Sequence, residues 1–269
     1  MNIRKSYPTD LTDAQWHIIE PLIPPAKHGG RHREVCPREI LCAIFYILRS
    51  GCAWRLLPHD FPPWQTVYGY FRTWQRAHVW EEINDALREA VRIEAGREAQ
   101  PSMALIDSQS VKTTSVAGER GVDPFKSVKG RKRHILVDTM GLILAVVVHT
   151  ANMQDRKGAR LVLARALAKG FERLELILAD GGYESQPLLD WLAARIHWVF
   201  ELVKRPEGQK GFVVQAQKWV VERTFAWLGR YRRLSKDYEV LPESSEAFVY
   251  IAMIHLMLKR LANNPRVWV

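Results

Sequence analysis

Apolar residues recur at helical spacing through most of the first hundred positions and gather into short strand-like runs after them. Thr12 or Asp13 can cap a first helix reaching Glu20, Pro37 opens a second reaching Leu48, Trp64 starts a third and Trp80 a fourth. Prolines at 21, 24, 25, 58, 62 and 63 punctuate this part. The composition changes between Arg97 and Pro101, which places a domain boundary near residue 100. Beyond it the pattern predicts strands over 103–107 and 133–138, a turn at Met140-Gly141 and a strand over 142–149, the last two forming an antiparallel hairpin. A helix over 155–169 stops at Gly170; a strand over 174–179, a helix over 186–194 and a strand over 197–202 follow. A final helix pair ends with an amphipathic stretch over 246–261 that completes the core. Strands first, then alternating helices and strands, predict an α/β fold: a mixed sheet flanked by helices, preceded by an all-helical region.

Composition narrows the function. A chain of 269 residues with 47% apolar positions can build one large core or two modest ones. No apolar run is long enough to span a bilayer, and the first residues lack a secretory signal. Cys36, Cys42 and Cys52 fit neither a disulfide framework nor a paired zinc clip, and read as buried thiols in a reducing cytoplasm. A formal charge of +10 favours a polyanionic partner, nucleic acid first. The basic, glycine-containing stretch 27–33, with Arg72, Arg76 and the aromatic residues Tyr68, Tyr70, Phe71 and Trp74, suits a helix-turn-helix-like DNA-binding region. The same aromatics also suit a plain helix core, and the charges a solvated face.

The candidate chemistry lies in three acids. Asp107 ends the first predicted strand before Ser108-Gln109-Ser110, and Asp180 ends the fourth before Gly181-Gly182. If those strands are parallel neighbours, both carboxylates emerge at one edge of the sheet, where open α/β sheets bind ligands. Glu222 lies on a helix whose Val221, Phe225 and Leu228 form an apolar side, while Glu222, Ala226 and Arg230 share another. Three carboxylates at one edge make an oxygen-only site suited to Mg²⁺ or Mn²⁺. Two such ions can activate an attacking oxygen and stabilise a leaving one in phosphodiester chemistry. Taken singly, the two aspartates can instead cap their turns and Glu222 can pair with Arg223 or Lys218.

At these residues the chain resembles bacterial insertion-sequence transposases of the DDE type, specifically insertion sequence family five. The resemblance rests on Leu-Thr-Asp-Ala-Gln-Trp from Leu11, Ile-Asp-Ser-Gln-Ser-Val-Lys from Ile106, Gly-Arg-Lys-Arg-His from Gly130, Ala-Asp-Gly-Gly-Tyr from Ala179 and Val-Glu-Arg-Thr-Phe-Ala-Trp from Val221. It implies an RNase-H-like catalytic domain over 101–269 behind a helical DNA-binding region over 1–100. It also implies Asp107, Asp180 and Glu222 as catalytic, metal-holding acids, Mg²⁺ as cofactor, and cutting and joining of DNA at terminal inverted repeats. Double-stranded DNA is then the partner, with a homo-oligomer formed on DNA, no membrane, and a cytoplasmic, nucleoid-associated location. Related transposases often carry a tyrosine and an arginine before the glutamate and a lysine two turns after it; Gln215, Lys218 and Gly229 stand in those places here. Some relatives insert a β-rich domain before the glutamate helix, whereas the short interval here predicts a loop.

Basic residues surround the predicted site. Lys126, Lys129, Arg131, Lys132 and Arg133 cluster just before the second predicted strand, and Arg223, Arg230, Arg232, Arg233 and Lys236 follow Glu222. With Lys112 and Lys218, they are expected to hold DNA phosphates, which positions the duplex without reading it. Asn152 is a candidate neighbour of the acids, Asp138 and Asp155 are secondary acids, and His134 and His149 read as structural. A metal-dependent nuclease without strand transfer, and a DNA-binding regulator without activity, are the competing readings.

Overall fold

The computed structural model describes residues 4–26, 29, 33–115, 118–195, 197–203 and 218–262. Four helices come first: α1 (Asp13–Ile19), α2 (Pro37–Ser50), α3 (Trp64–Arg76) and α4 (Val79–Glu94). Local signals set their ends. Thr12 and Gln15 form a reciprocal capping box on α1. Pro37 opens α2, and Gly51, at φ 73°, closes it in the left-handed conformation that glycine adopts without strain. Most of the expected basic loop 27–33 lies outside the described residues.

The sheet contains β1 (Met103–Lys112), β2 (Gly121–Asp123), β3 (Val128–Asp138), β4 (Ile143–Thr150), β5 (Leu176–Asp180) and β6 (Val199–Val203). Its order is β4-β3-β1-β5-β6, with β2 pairing the start of β3 beside β4. β3 runs antiparallel to β1 and β4, while β5 runs parallel to β1 and β6. Three antiparallel strands extended by two parallel ones, with helices on both faces, make the mixed α/β sheet that the pattern predicts and the RNase-H-like fold that the resemblance implies. Helices α5 (Asp155–Lys169) and α6 (Gln186–Ala193) cover one face; α7 (Trp219–Gly229) and α8 (Pro242–Ala262) lie over the other.

Alternation along each strand divides the core in two. Ala104, Ile106, Ile177 and Ala179 point to the α5–α6 side, while Leu105 and Leu178 join the cluster built from α1–α4, α7 and α8. Helix α8 is buried from Ser244 to Leu258 at nearly every position, not along one stripe as expected. It is sandwiched between β4 and the amino-terminal helices, so every side of it meets protein. Cysteine placement differs as well, since only Cys42 is buried; Cys36 is exposed and Cys52 half-buried.

Two strands run longer than the sequence predicts, and that changes the surroundings of the site. β1 continues past Asp107 to Lys112, because β3 pairs with it through Lys112↔Gly130. The pairing of Gly130 is close: a Cβ there would lie 1.9 Å from the Val111 carbonyl oxygen, so only glycine fits. The stretch 128–132, expected as a basic segment ahead of the strand, is therefore part of the strand itself. No helix among the described residues is long and apolar enough to cross a membrane.

Candidate active site

The parallel register brings the two aspartates together. β1 and β5 are paired through Leu105↔Leu178, and two residues further along each strand stand Asp107 and Asp180. Neighbouring strands lie about 4.8 Å apart, and residues two apart share a face. Both acids therefore point to the α7 side of the sheet, in phase with Leu105 and Leu178. Asp107 is not at the end of its strand; it stands where the β1–β5 pairing stops while β1 continues against β3.

The two carboxylates sit in different settings. Asp107 is half-buried and accepts a hydrogen bond from the Ser108 backbone N–H at 2.7 Å. Burial, with the charge of Asp180 and against the pull of that hydrogen bond, pushes its pKa up to about 6. Asp180 caps the turn after its strand by accepting from Gly182 N at 2.8 Å, and its other oxygen meets Lys218 Nζ at 3.1 Å. Lys218 is the residue before α7, and its ammonium also lowers the pKa of Asp107. One lysine thus supplies positive charge to both acids. Tyr183 lies buried beside them; burial first, then Asp107, Asp155 and Asp180, raises its hydroxyl pKa well above the ordinary value.

Glu222 is exposed on α7, one turn beyond Lys218, while Val221, Phe225 and Leu228 are buried on its apolar side. Among the described residues no three acidic, histidine or cysteine side chains converge closely enough to hold one metal ion. The structure gathers Asp107 and Asp180 and leaves Glu222 on the neighbouring helix face. The pair nevertheless fits a hard divalent cation: two carboxylates stand at the same level of adjacent strands, one of them disfavoured as a bare anion, with an ammonium as stand-in counter-ion. Mg²⁺ commonly takes one or two carboxylates, completing its shell with water and substrate phosphate.

Behind the pair, on the opposite face of β1, Ser108 Oγ donates to Asp155 at 2.9 Å and Lys132 Nζ meets the same carboxylate at 3.0 Å. His134 Nδ1 and His149 Nε2 lie 2.8 Å apart. Burial, then the neighbouring His149, pushes the His134 pKa down to about 3, in keeping with a structural role. Asp138 is buried against Arg92 at 2.6 Å, away from the acid pair, and Asn152 packs against Gly121. Ser108 and Tyr183 were missed as members of this surround; their places one residue after Asp107 and three after Asp180 were the available signal.

Several expected phosphate ligands belong to the interior. Arg131 is buried and bonds to Asp237 at 3.3 Å and to the carbonyls of Glu119, Glu239 and Val240. Arg133 donates to the Leu234 and Lys236 carbonyls, Lys132 pairs with Asp155 and Asp123, and Arg233 meets Glu239 at 2.6 Å. These four cannot leave their partners for DNA without stranding buried polar groups, so they are corrected to structural cations. Arg131 and Arg133 fasten β3 to the chain that follows α7, Lys132 ties β3 to Asp123 and Asp155, and Arg233 braces the chain after α7 on Glu239. Arg223 is also engaged: it lies 4.3 Å from the Trp219 ring and 4.7 Å from that of Trp227, and donates to Met140 O. Lys112, Lys126, Lys129 and Arg230 are exposed. The expected loop before α7 and Gln215 lie outside the described residues.

Comparison with known proteins agrees with this architecture. Residues 11–84 match a family model described as "Putative transposase of IS4/5 family", and residues 98–257 match the "Transposase DDE domain" model. From Burkholderia cepacia, the "Insertion element IS402 uncharacterized 16.2 kDa protein" is 31% identical over 42% of this chain and 80% of its own. The "Putative transposase for insertion sequence element IS402" from the same organism is 30% identical over 45% of this chain and 59% of its own. Among solved structures, the Mos1 strand transfer complex is 15% identical, covering 88% of this chain and 79% of that one, with a TM-score of 0.31, too low to weigh beside the strand order. Because the DDE model spans more than half of its length, the chain belongs to the DDE transposases of insertion sequences.

Proposed function

We propose that this transposase cleaves the ends of its insertion sequence at the terminal inverted repeats and joins them to target DNA. The observation that carries the reading is the alignment of Asp107 and Asp180 at the same level of adjacent parallel strands, with Lys218 across their opening. Transposases of this family generally use divalent metal ions. Two Mg²⁺ ions, or Mn²⁺ in their place, would supply charge neutralisation and polarisation of the phosphodiester; Asp107, Asp180 and Glu222 would hold them.

The chain's own residues do the rest. Asp107 and Asp180 fix the place of reaction on a rigid sheet, and Glu222 would supply its carboxylate from α7 if that helix face and the sheet edge approach each other on DNA. Lys218 neutralises the pair until then, and its long side chain can turn to a phosphate oxygen. Exposed Lys112, Lys126, Lys129 and Arg230 line the approach and hold the duplex backbone. The helical region 1–100 would bind DNA and 101–269 catalyse, as a homo-oligomer on double-stranded DNA at the nucleoid in the cytoplasm.

The test is a cleavage and joining assay on the element's ends with Mg²⁺, comparing the wild type with Asp107→Ala, Asp180→Ala and Glu222→Ala, each checked for folding by circular dichroism. Cut and joined products from the wild type, and none from the three variants, are expected. Hydrolysis without joining would reduce the activity to that of a nuclease. Binding without either would make it a regulator, and full activity in Glu222→Ala would remove that residue from the site.

A further inference from the structure

Phe125 is 91% exposed at the tip of the turn between β2 and β3. An aromatic side chain so far in water is held there by its surroundings. Asp123, itself buried, accepts from the backbone N–H groups of Phe125 at 3.0 Å and Lys126 at 3.2 Å. Its second oxygen takes the Ser110 hydroxyl and faces Lys132 at 3.4 Å. Burial works against the charge, yet these bonds hold the Asp123 pKa down to about 2. Ser127 completes the turn at φ 51°, in the left-handed region. The tip is therefore a braced projection tied to β1 at Ser110, not a loose end.

Its position gives the projection a use. Lys126 Nζ lies 3.5 Å from the Ser108 carbonyl, directly after Asp107, and its charge is felt at the Asp107 carboxyl. Lys126 and Lys129 are both exposed on either side of the turn. An apolar ring flanked by two exposed cations, next to the stretch of β1 that carries Asp107, matches a polyanion that also presents flat apolar faces. Nucleic-acid bases are such faces: aromatic side chains stack on them regardless of sequence, and apolar wedges entering a base step unstack and kink the duplex.

We propose that Phe125 is a wedge that enters the duplex at the cleavage position and stacks on a displaced base, while Lys126 and Lys129 hold the adjoining phosphates. Local unstacking would free the scissile phosphate to reach Asp107 and Asp180. This rests on the DNA-cutting reading above.

The experiment uses the full chain without divalent metal and a duplex of the element's end carrying 2-aminopurine at the nucleotides flanking the cut, whose fluorescence rises on unstacking. The wild type should raise the signal severalfold and Phe125→Trp should largely retain the rise. Phe125→Ala should abolish it while gel-shift affinity falls by less than about tenfold, as expected when phosphate contacts dominate binding. With Mg²⁺, Phe125→Ala should cut a fully paired end poorly and a mismatched end almost as fast as the wild type. Equal unstacking by Phe125→Ala, or no rescue by the mismatch, overturns the wedge. So does loss of a dimer on sizing with unstacking intact, which would assign Phe125 to a second copy. A wild type that binds and cuts without unstacking sinks the wedge alone, whereas one that neither binds nor cuts the end sinks the DNA-cutting reading with it.

Discussion

Replacing Asp107 by asparagine should stabilise the metal-free protein, and more so as the pH rises. The side chain keeps an oxygen that can accept from Ser108 N, so the hydrogen bond survives and the charge is lost. Burial, the neighbouring Asp180 and the opposing pull of Ser108 and Lys218 leave the folded pKa at about 6 against an ordinary 3.8. At 1.36 kcal/mol per pKa unit that difference amounts to about 3 kcal/mol. Because Asp107 is half-buried and not sealed, solvent screening reduces it, and about 1–3 kcal/mol is expected. The folded carboxyl binds its proton more tightly than the unfolded one. The destabilisation is thus absent well below the ordinary value, grows as pH rises, and is complete somewhat above the folded value. Urea unfolding of both proteins in EDTA, at pH 4 and 7.5, measures the gap. A stability difference that stays constant across that interval, or an asparagine variant that is the less stable at pH 7.5, refutes the account of Asp107 as an acid held charged at the fold's expense. Added Mg²⁺ should narrow the gap by stabilising only the protein that retains the carboxylate.

Four further outcomes follow from the same structure. Gly130→Ala should prevent stable folding, a loss of several kcal/mol seen as absent cooperative melting, because its Cβ would collide with the Val111 carbonyl at the end of the β1–β3 pairing, where β3 also takes up β2. Arg131→Met should cost about 3–5 kcal/mol in chemical unfolding by stranding buried Asp237, whereas Lys126→Ala with Lys129→Ala should leave stability within about 0.5 kcal/mol and lower the salt dependence of DNA binding by about two phosphate contacts. Lys218→Met should tighten Mn²⁺ binding at the aspartate pair severalfold in calorimetry, since the ammonium that competes for Asp180 is removed; weaker binding would show that Lys218 supports the metal.

Much of this protein is set locally. Capping at Thr12, the proline start of α2, the glycine stop after Lys169 and strand-like apolar runs fix which segments are helix or strand, because those choices depend on neighbours a few residues away. The same reach explains why Asp107 and Asp180 could be singled out: each follows an apolar run whose next residues change character. Tertiary structure decided what depends on distant partners. The basic run 131–133 looks like a phosphate grip until Asp237 and the carbonyls around residues 234–240 arrive to bury it, and nothing near the run announces them. The full length of β1 needed β3, the joining of the two aspartates needed the parallel register with β5, and the distance of Glu222 from them follows from how α7 lies on the sheet. Charge and pattern are properties of a segment, whereas burial and convergence are properties of its neighbours in space, and only the folded chain supplies those.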